Sequence, residues 1–402
     1  MSNYNVGKTI KILVISPYYE PANVYGGPAK SIPALCKSLA RNGASVTVFT
    51  TNSNGDKKLR DIPVNRMLIQ EKVKVYYFSR FTRSSYFLSL NLLLACINQI
   101  PNFDIIQIHG VFSFLSLVGS ILSRLYKKTY VVFLHGMLMP WAYQYKHLKK
   151  SFYMKMIERR LLCRAQALIS TDVFEKEALE KFNFNIPIIN IPYGVDFVRY
   201  KVLPPRGKLR KQLNIPQEHS IILVLGRLHP VKRPDLAMDA FSLVAQKHPL
   251  SHLVFAGPDE TQMSTGIISR ARQAGFEKRV HFTGLLSPDQ VIQMLSDADI
   301  FLNTSESENF GMAIVEAMAA GLPVIVSNKI GLARIVQESN GGLSCDLNRD
   351  SVAYRLNTLL EKPDKLKAIG LKGRQYVFDK YEINKVAQKI LETYRNLVGN
   401  FS

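Results

Sequence analysis

Cysteine is scarce in this 402-residue chain. Its four cysteines, Cys36, Cys96, Cys163 and Cys345, lie far apart, and no Cys-x-x-Cys occurs. That spacing argues against a disulfide framework or a cysteine-built zinc site and fits a reducing cytoplasm. Acid is also in short supply, with 31 Asp and Glu against 52 Lys and Arg and a formal net charge of +21. Long hydrophobic runs are missing. The most apolar windows, residues 86–97 and 111–122, are short and broken by Ser or Asn, so no integral membrane segment is expected. The amino-terminal end reads without a signal peptide, because its first apolar run, residues 12–15, leads straight into the fold. No Gly-x-Ser-x-Gly, no Walker sequence, no low-complexity tract and no short-period repeat occurs.

What remains is a chain that is 47% hydrophobic and 21% charged, long enough for two domains with full cores. The positive charge is uneven. Residues 1–190 hold 25 Lys and Arg against 10 Asp and Glu, a net +15, and residues 191–402 hold 27 against 21, a net +6. A basic first half suits an anionic partner such as a membrane surface, nucleic acid or an anionic sugar, or simply a solvated basic surface.

Short apolar runs alternate with amphipathic helical stretches almost throughout, the pattern of parallel sheets covered on both faces. In the first half, strands are expected at 10–16, 46–50, 73–78, 105–109, 130–135 and 168–171, with a helix over 28–41 ended by Gly43. The series restarts at 221–225 and continues at 252–256, 280–283, 300–303 and 323–327, with helices over 234–246, 288–296 and 312–320 between the strands. Residues 191–214 hold Pro192, Gly194, Pro204, Pro205 and Gly207 with six Lys and Arg, and read as a linker. The expected division is therefore a Rossmann-like domain over 1–190, a linker over 191–214, a second Rossmann-like domain over 215–380, and a terminal helix over 381–402. The helical spacing of Ile383, Val386, Ile390, Leu391, Tyr394 and Leu397 supports that last element. Two such α/β halves joined once would face each other across a cleft.

The most informative stretch runs from Glu308 to Pro323. Two carboxylates, Glu308 and Glu316, flank an Asn309-Phe310-Gly311 turn that follows an apolar strand and opens a helix. Open α/β sheets bind ligands at the carboxyl ends of strands, and a helix starting there points free N–H groups at an anion such as a phosphate. The two carboxylates can accept hydroxyl hydrogens from a sugar or a ribose. A second segment, Gly226-Arg227-Leu228-His229-Pro230-Val231-Lys232-Arg233-Pro234-Asp235, leaves the first strand of the second half. Arg227 and Lys232 there can neutralise a diphosphate, and Gly226 and Pro230 mark a shaped loop rather than a solvated pair.

The first half is less specific. Gly26-Gly27 before its first helix frees backbone N–H groups for an anion, although an ordinary strand-to-helix turn uses glycine too. His109-Gly110 and His135-Gly136 each end an apolar strand, where a histidine can bond a sugar hydroxyl or a phosphate, relay a proton, or be structural. Asp297-Ala298-Asp299 has the form of a metal-binding Asp-x-Asp but sits where Asp299 begins a strand, so no metal is expected. Residues 145–164 interleave Lys146, Lys149, Lys150, Lys155, Arg159, Arg160 and Arg164 with apolar side chains. Such a helix can lie on an anionic membrane surface or pack one face on the sheet; without a recognised nucleic-acid module, nucleic acid is not expected as a partner.

With these residues in order, the chain resembles the retaining glycosyltransferase family 4 group, which has the two-domain GT-B fold. The Glu308/Glu316 segment, the Arg227–Lys232 loop and Tyr193-Gly194-Val195-Asp196 all fall in the family's order. The resemblance implies that Arg227 and Lys232 bind the donor diphosphate and that Glu308 contacts the donor sugar. Asn309, Phe310 and Gly311 lie alongside that sugar, and Glu316 holds the ribose. Phe282 and Gly284 approach the base, Gly27 faces the phosphate, and His135 lies near the transferred sugar. On that reading His135, Glu308, Arg227 and Lys232 are the catalytic set, and Gly26, His109 and Trp141 lie on the acceptor side. The loop containing Trp141 is similar to that of bacterial surface-polysaccharide enzymes.

The function implied is metal-independent transfer of a hexosyl group from a nucleoside-diphosphate sugar to a glycan or lipid-linked glycan. UDP and GDP remain open as the nucleotide, and no cofactor is expected. The implied setting is exopolysaccharide, capsule or O-antigen synthesis in the cytoplasm, with the inner face of the membrane as a peripheral station. Two rivals stay open: a nucleotide-sugar epimerase of the same architecture, and a non-enzymatic basic module that binds membrane or nucleic acid.

Overall fold

The structure is a computed structural model and describes residues 9–25, 27–81, 86–144, 147–308 and 310–399. It divides into two units, one of residues up to Asp196 together with Tyr381 onward, and one of Phe197–Lys380.

In the first unit the strands are β1 (Lys11–Ser16), β2 (Ser45–Thr51), a hairpin of β3 (Ser53–Asn54) and β4 (Lys57–Lys58), β5 (Met67–Gln70), β6 (Val73–Phe78), β7 (Ile105–His109), β8 (Thr129–Phe133), β9 (Ala167–Ser170) and β10 (Ile188–Asn190). Eight of them form one sheet in the order β10-β9-β8-β7-β1-β2-β6-β5. Successive residues of a strand face opposite sides. Accordingly, Ile12 and Val14 of β1 join one buried cluster, and Leu13 and Ile15 join another. Helices therefore cover both faces, as an all-apolar parallel strand requires.

The departure from the parallel pattern is β5, which pairs antiparallel with β6 at the sheet edge. Its four residues, Met67-Leu68-Ile69-Gln70, alternate between exposed and half-buried, so the apolar Met67 and Ile69 face outward. The terminal helix, Ile383–Gly399, lays Val386, Ala387, Ile390, Leu391 and Tyr394 into the core of this unit. It is tied in by Val195 N–H donating to Tyr381 O (2.8 Å) and Ile383 N–H donating to Val195 O (3.1 Å). Gly194 permits that approach, because a Cβ there would meet Ile383 Cα at 2.9 Å.

The second unit holds β11 (Ser220–Leu225), β12 (Ser251–Ala256), β13 (Val280–Phe282), β14 (Ile300–Asn303), β15 (Val324–Ser327) and β16 (Gly342–Cys345). All are parallel, in the order β13-β12-β11-β14-β15-β16. The order reverses between β11 and β14, the switch point at which open sheets bind ligands.

Residues 191–214 are divided between the units. Residues 191–196 lie in the first, and the short helices Val198–Lys201 and Lys208–Gln212 lie in the second. Asp297 and Asp299 anchor this stretch. Asp297 accepts from the backbone N–H of Gly207, Leu209 (2.8 Å) and Arg210 (3.2 Å). Asp299 pairs with Arg206 and the fully buried Arg210, both at 2.7 Å. The Asp-x-Asp carboxylates are thus committed to holding the chain.

Candidate functional site

At the switch point, β11 ends on Leu225, just before Gly226, and β14 ends on Asn303. The loops beyond these two strands are laced together. Thr304 Oγ1 donates to Lys232 O (3.0 Å), and Glu306 N–H donates to Val231 O (2.8 Å). A pocket opens there, lined by Gly226, Arg227, Lys232, Asn303, Thr304 and Ser305 among others.

Within the pocket region, Lys232 Nζ lies 2.5 Å from Glu308 Oε1, with both side chains largely buried. The same oxygen accepts from Asn303 Nδ2 (3.1 Å) and Ser305 Oγ (2.9 Å). Arg227 is 60% exposed and faces Glu260 at 3.6 Å, a loose surface pair free to reorient.

Glycines let the backbone crowd here. Gly257 N–H donates to Gly284 O (2.9 Å), and a Cβ on Gly257 would meet Gly226 O at 2.0 Å. Gly226 itself, at φ +150, faces open space. The carboxyl ends of β11, β12 and β13 therefore form a bare backbone shelf. Phe282, at the end of β13, stacks on Phe255 with ring centroids 5.2 Å apart.

Gly311, at φ +78, precedes the helix Met312–Ala319 and packs so tightly that a Cβ would meet Leu332 Cδ1 at 2.9 Å. Phe310 is buried beside it. Glu316, in the second turn, stands beside Tyr200, whose phenol is pushed upward by burial and by that carboxylate. Asn309 lies outside the described residues.

Of the first-unit candidates, Gly27 opens the helix Gly27–Arg41. Gly26 lies outside the described residues, as does the side chain of Trp141, although its backbone is in the helix Pro140–Gln144. His109 and His135 come together, with stacked rings and His109 Nδ1 2.7 Å from His135 Nε2. His135 Nδ1 is bonded to Tyr193 Oη. The expected strand through residue 135 stops at Phe133. His135 takes φ +53 and starts a turn held by Gly136 N–H on the buried Glu175 carboxylate. Burial pushes the His135 imidazole down to about 3 and holds His109 well below its usual range.

Asn303, Ser305, Gly257, Tyr200 and Glu175 are site neighbours that no motif announced. Asn303 and Ser305 lie within five residues of Glu308, but nothing in their spacing marks them as its partners.

The basic stretch before Arg164 has two faces. Met154, Leu161 and Leu162 are buried, whereas Leu148, Phe152 and Met156 are exposed at helical spacing. Lys149, Lys155, Arg160 and Arg164 are exposed around that stripe. Glu158 is buried, accepts from Phe112 N–H at 3.1 Å and is raised to about 7 by burial. No helix of the described residues is long and apolar enough to cross a membrane.

Comparison with known proteins matches the model for glycosyl transferases group 1 over residues 205–376 and that for glycosyltransferase family 4 over residues 25–199. The chain belongs to the family 4 type of glycosyltransferase. This family 4 chain is 26% identical over 253 residues to D-inositol 3-phosphate glycosyltransferase of Rhodococcus jostii, covering 61% of the chain and 56% of that protein. The match thus spans little more than half the length of that relative. An uncharacterized glycosyltransferase of Methanocaldococcus jannaschii is 23% identical over 404 residues, covering 96% of the chain and 98% of that protein. Among solved structures, Anabaena HepE in complex with UDP and glucose superposes with a TM-score of 0.73 at 22% identity, covering 96% of the chain and all of HepE. The family 4 chain therefore shares the GT-B fold.

Proposed function

We propose that this protein is a retaining glycosyltransferase that moves a sugar from a nucleoside-diphosphate sugar to a glycan or lipid-linked glycan. The observation that carries the reading is the Lys232–Glu308 pair at the switch point of the second unit, between a glycine shelf and a helix start.

Breaking the bond from sugar to diphosphate puts negative charge on the leaving diphosphate and positive charge on the sugar ring. Lys232 and Arg227 neutralise the first. Phe310 and Gly311, at the positive end of the helix Met312–Ala319, add backbone N–H groups. Glu308 holds the sugar hydroxyls, and Glu316 accepts from the ribose. The base lies over the shelf by Phe282 and Gly284. Such fixed donors contribute roughly 3 kcal/mol each to a transition state. No metal takes part, because the cations are supplied by side chains. HepE holds UDP and glucose, which makes UDP-glucose the first donor to test, with GDP sugars next.

On the first unit, Gly26, Gly27, His109, His135 and Trp141 serve the acceptor and the transferred sugar. The outward stripe of Leu148, Phe152 and Met156, ringed by cations, rests on an anionic membrane surface. That placement suits a lipid-linked acceptor in surface-polysaccharide synthesis at the cytoplasmic face.

Turnover of UDP-glucose measured with and without added lipid-linked glycan tests this. Sugar appearing on the acceptor with retained anomeric configuration is expected. Acceptor-independent conversion of the nucleotide sugar into its epimer would establish the epimerase instead.

A further inference from the structure

The terminal helix reaches the histidines through a buried chain of hydrogen bonds inside the first unit. Tyr394 Oη, fully buried, donates to Gln107 Oε1 at 2.6 Å. Gln107 Nε2 lies 2.6 Å from His109 Nε2, His109 Nδ1 lies 2.7 Å from His135 Nε2, and His135 Nδ1 meets Tyr193 Oη. All five side chains are buried.

We propose that Tyr394, acting through Gln107 and His109, fixes the tautomer of His135 with its ring proton on Nδ1. A neutral imidazole has one N–H donor and one bare acceptor nitrogen, and an amide has distinct donor and acceptor ends. One end of such a chain therefore sets the direction of every link. With Gln107 Oε1 accepting from Tyr394, its Nε2 donates to His109 Nε2. His109 then carries its proton on Nδ1 and donates to His135 Nε2. His135 in turn carries its proton on Nδ1 and donates to Tyr193 Oη.

The reverse direction would turn the amide around. Among the described residues Gln107 is the acceptor of the Tyr394 hydroxyl, so reversal would strand a buried O–H without a partner. The imidazoles stay neutral because burial disfavours their charged form, which keeps the one-donor, one-acceptor rule in force.

In this arrangement both ring nitrogens of His135 are engaged, Nδ1 as the donor and the unprotonated Nε2 as the acceptor. It acts as an oriented donor to Tyr193, and Tyr394, Gln107 and His109 are positioning residues. The consequence for turnover rests on the glycosyl-transfer reading; the tautomer does not.

The test is side-chain nitrogen NMR of the full chain labelled with 15N-histidine, which separates protonated from bare ring nitrogens. Its eight histidines are assigned by single His→Gln variants. Protonated Nδ1 and bare Nε2 are expected at both His109 and His135, and a proton on Nε2 of either would overturn the proposal. In Tyr394→Phe the Gln107 amide is free to turn, so the Nδ1–H signal of His135 should be lost in whole or part. With UDP-glucose, kcat should fall while the donor KM holds. Wild-type tautomers in a folded Tyr394→Phe would overturn the proposal. Should that variant fail to fold, Gln107→Glu decides. Its ionised carboxylate can only accept, so both tautomers should reverse, and unchanged tautomers would again overturn the proposal. The expected wild-type tautomers in a protein that transfers no sugar would refute the transfer reading and leave this proposal standing.

Discussion

Lys232 Nζ and Glu308 Oε1 lie 2.5 Å apart although 76 positions separate them in sequence. Adjacency of β11 and β14 brings their loops together. On the proposed reading, the pair holds the cation that would meet the diphosphate and the carboxylate that would meet the sugar in one hydrogen-bonded unit. A charged group so placed needs no reorganisation at the moment of reaction.

Removing the cation should weaken donor binding more than folding. Lys232→Ala is expected to lose about 2 kcal/mol of donor affinity, roughly 30-fold, by calorimetric titration. Glu308→Ala should cut turnover far more than it shifts the melting temperature, and a comparable loss of folding would refute its assignment to the site.

The glycine shelf gives a steric prediction. Ala at position 257 would put a Cβ 2.0 Å from Gly226 O at a φ of +145. Gly257→Ala should therefore cost at least ~2 kcal/mol of stability and displace the Arg227 loop, lowering nucleotide affinity as well. Gly226→Ala meets nothing within 4 Å and should show the backbone strain alone. Melting curves of the two variants separate the effects.

Acid should destabilise the fold through its buried histidines, opposed by Glu158, whose carboxyl is raised by burial to about 7. His252 bonds to His219 and His281, and burial with the neighbouring histidines pushes it down to about 4, while His135 falls to about 3. In the unfolded chain such groups titrate near 6.5. Between those values the unfolded state binds more protons, so stability is full above pH 6.5 and is lost as the pH falls toward 4 and 3. Thermal midpoints measured from pH 8 to 4 should decline below 6.5.

The outward stripe should matter for membranes and not for folding. Phe152 is 70% exposed and Leu148 is 85% exposed. Replacing both by Asp should abolish cosedimentation with anionic vesicles while altering stability by less than about 0.5 kcal/mol for each change. Raised salt should also release the wild type. Vesicle binding that is absent, or indifferent to salt, would remove the membrane from the account.

Much of the fold was legible because its strands are short, apolar and separated by helical periods. The runs at 73–78, 105–109 and 300–303 coincide with β6, β7 and β14. The strand β5 was not legible, since its apolar run of Met67, Leu68 and Ile69 is too short to tell from a loop and has no buried face. The helix Pro363–Lys380 was missed because its buried face uses Gly370 and Gly373, which touch backbone of Gly321 and Gly341, so close approach replaces the apolar stripe. In the site, Glu308, Lys232 and Gly311 were readable from local spacing. Contacts made only by folding were not: the Lys232–Glu308 pair, the Tyr200 phenol beside Glu316, and Tyr394 on Gln107. Gln107 and His109, two apart on β7, share a face by strand geometry, but nothing local marks the tyrosine that meets them.

The most direct test is a thermal-shift titration of wild type and Lys232→Ala with UDP, UDP-glucose, GDP and GDP sugars, each with and without EDTA. Ligand that binds the folded state raises its apparent stability. The account predicts a selective, EDTA-insensitive shift in the wild type that shrinks strongly in Lys232→Ala. The absence of a shift with any nucleotide, or an equal shift in the variant, would contradict a donor site built on Lys232 and Glu308.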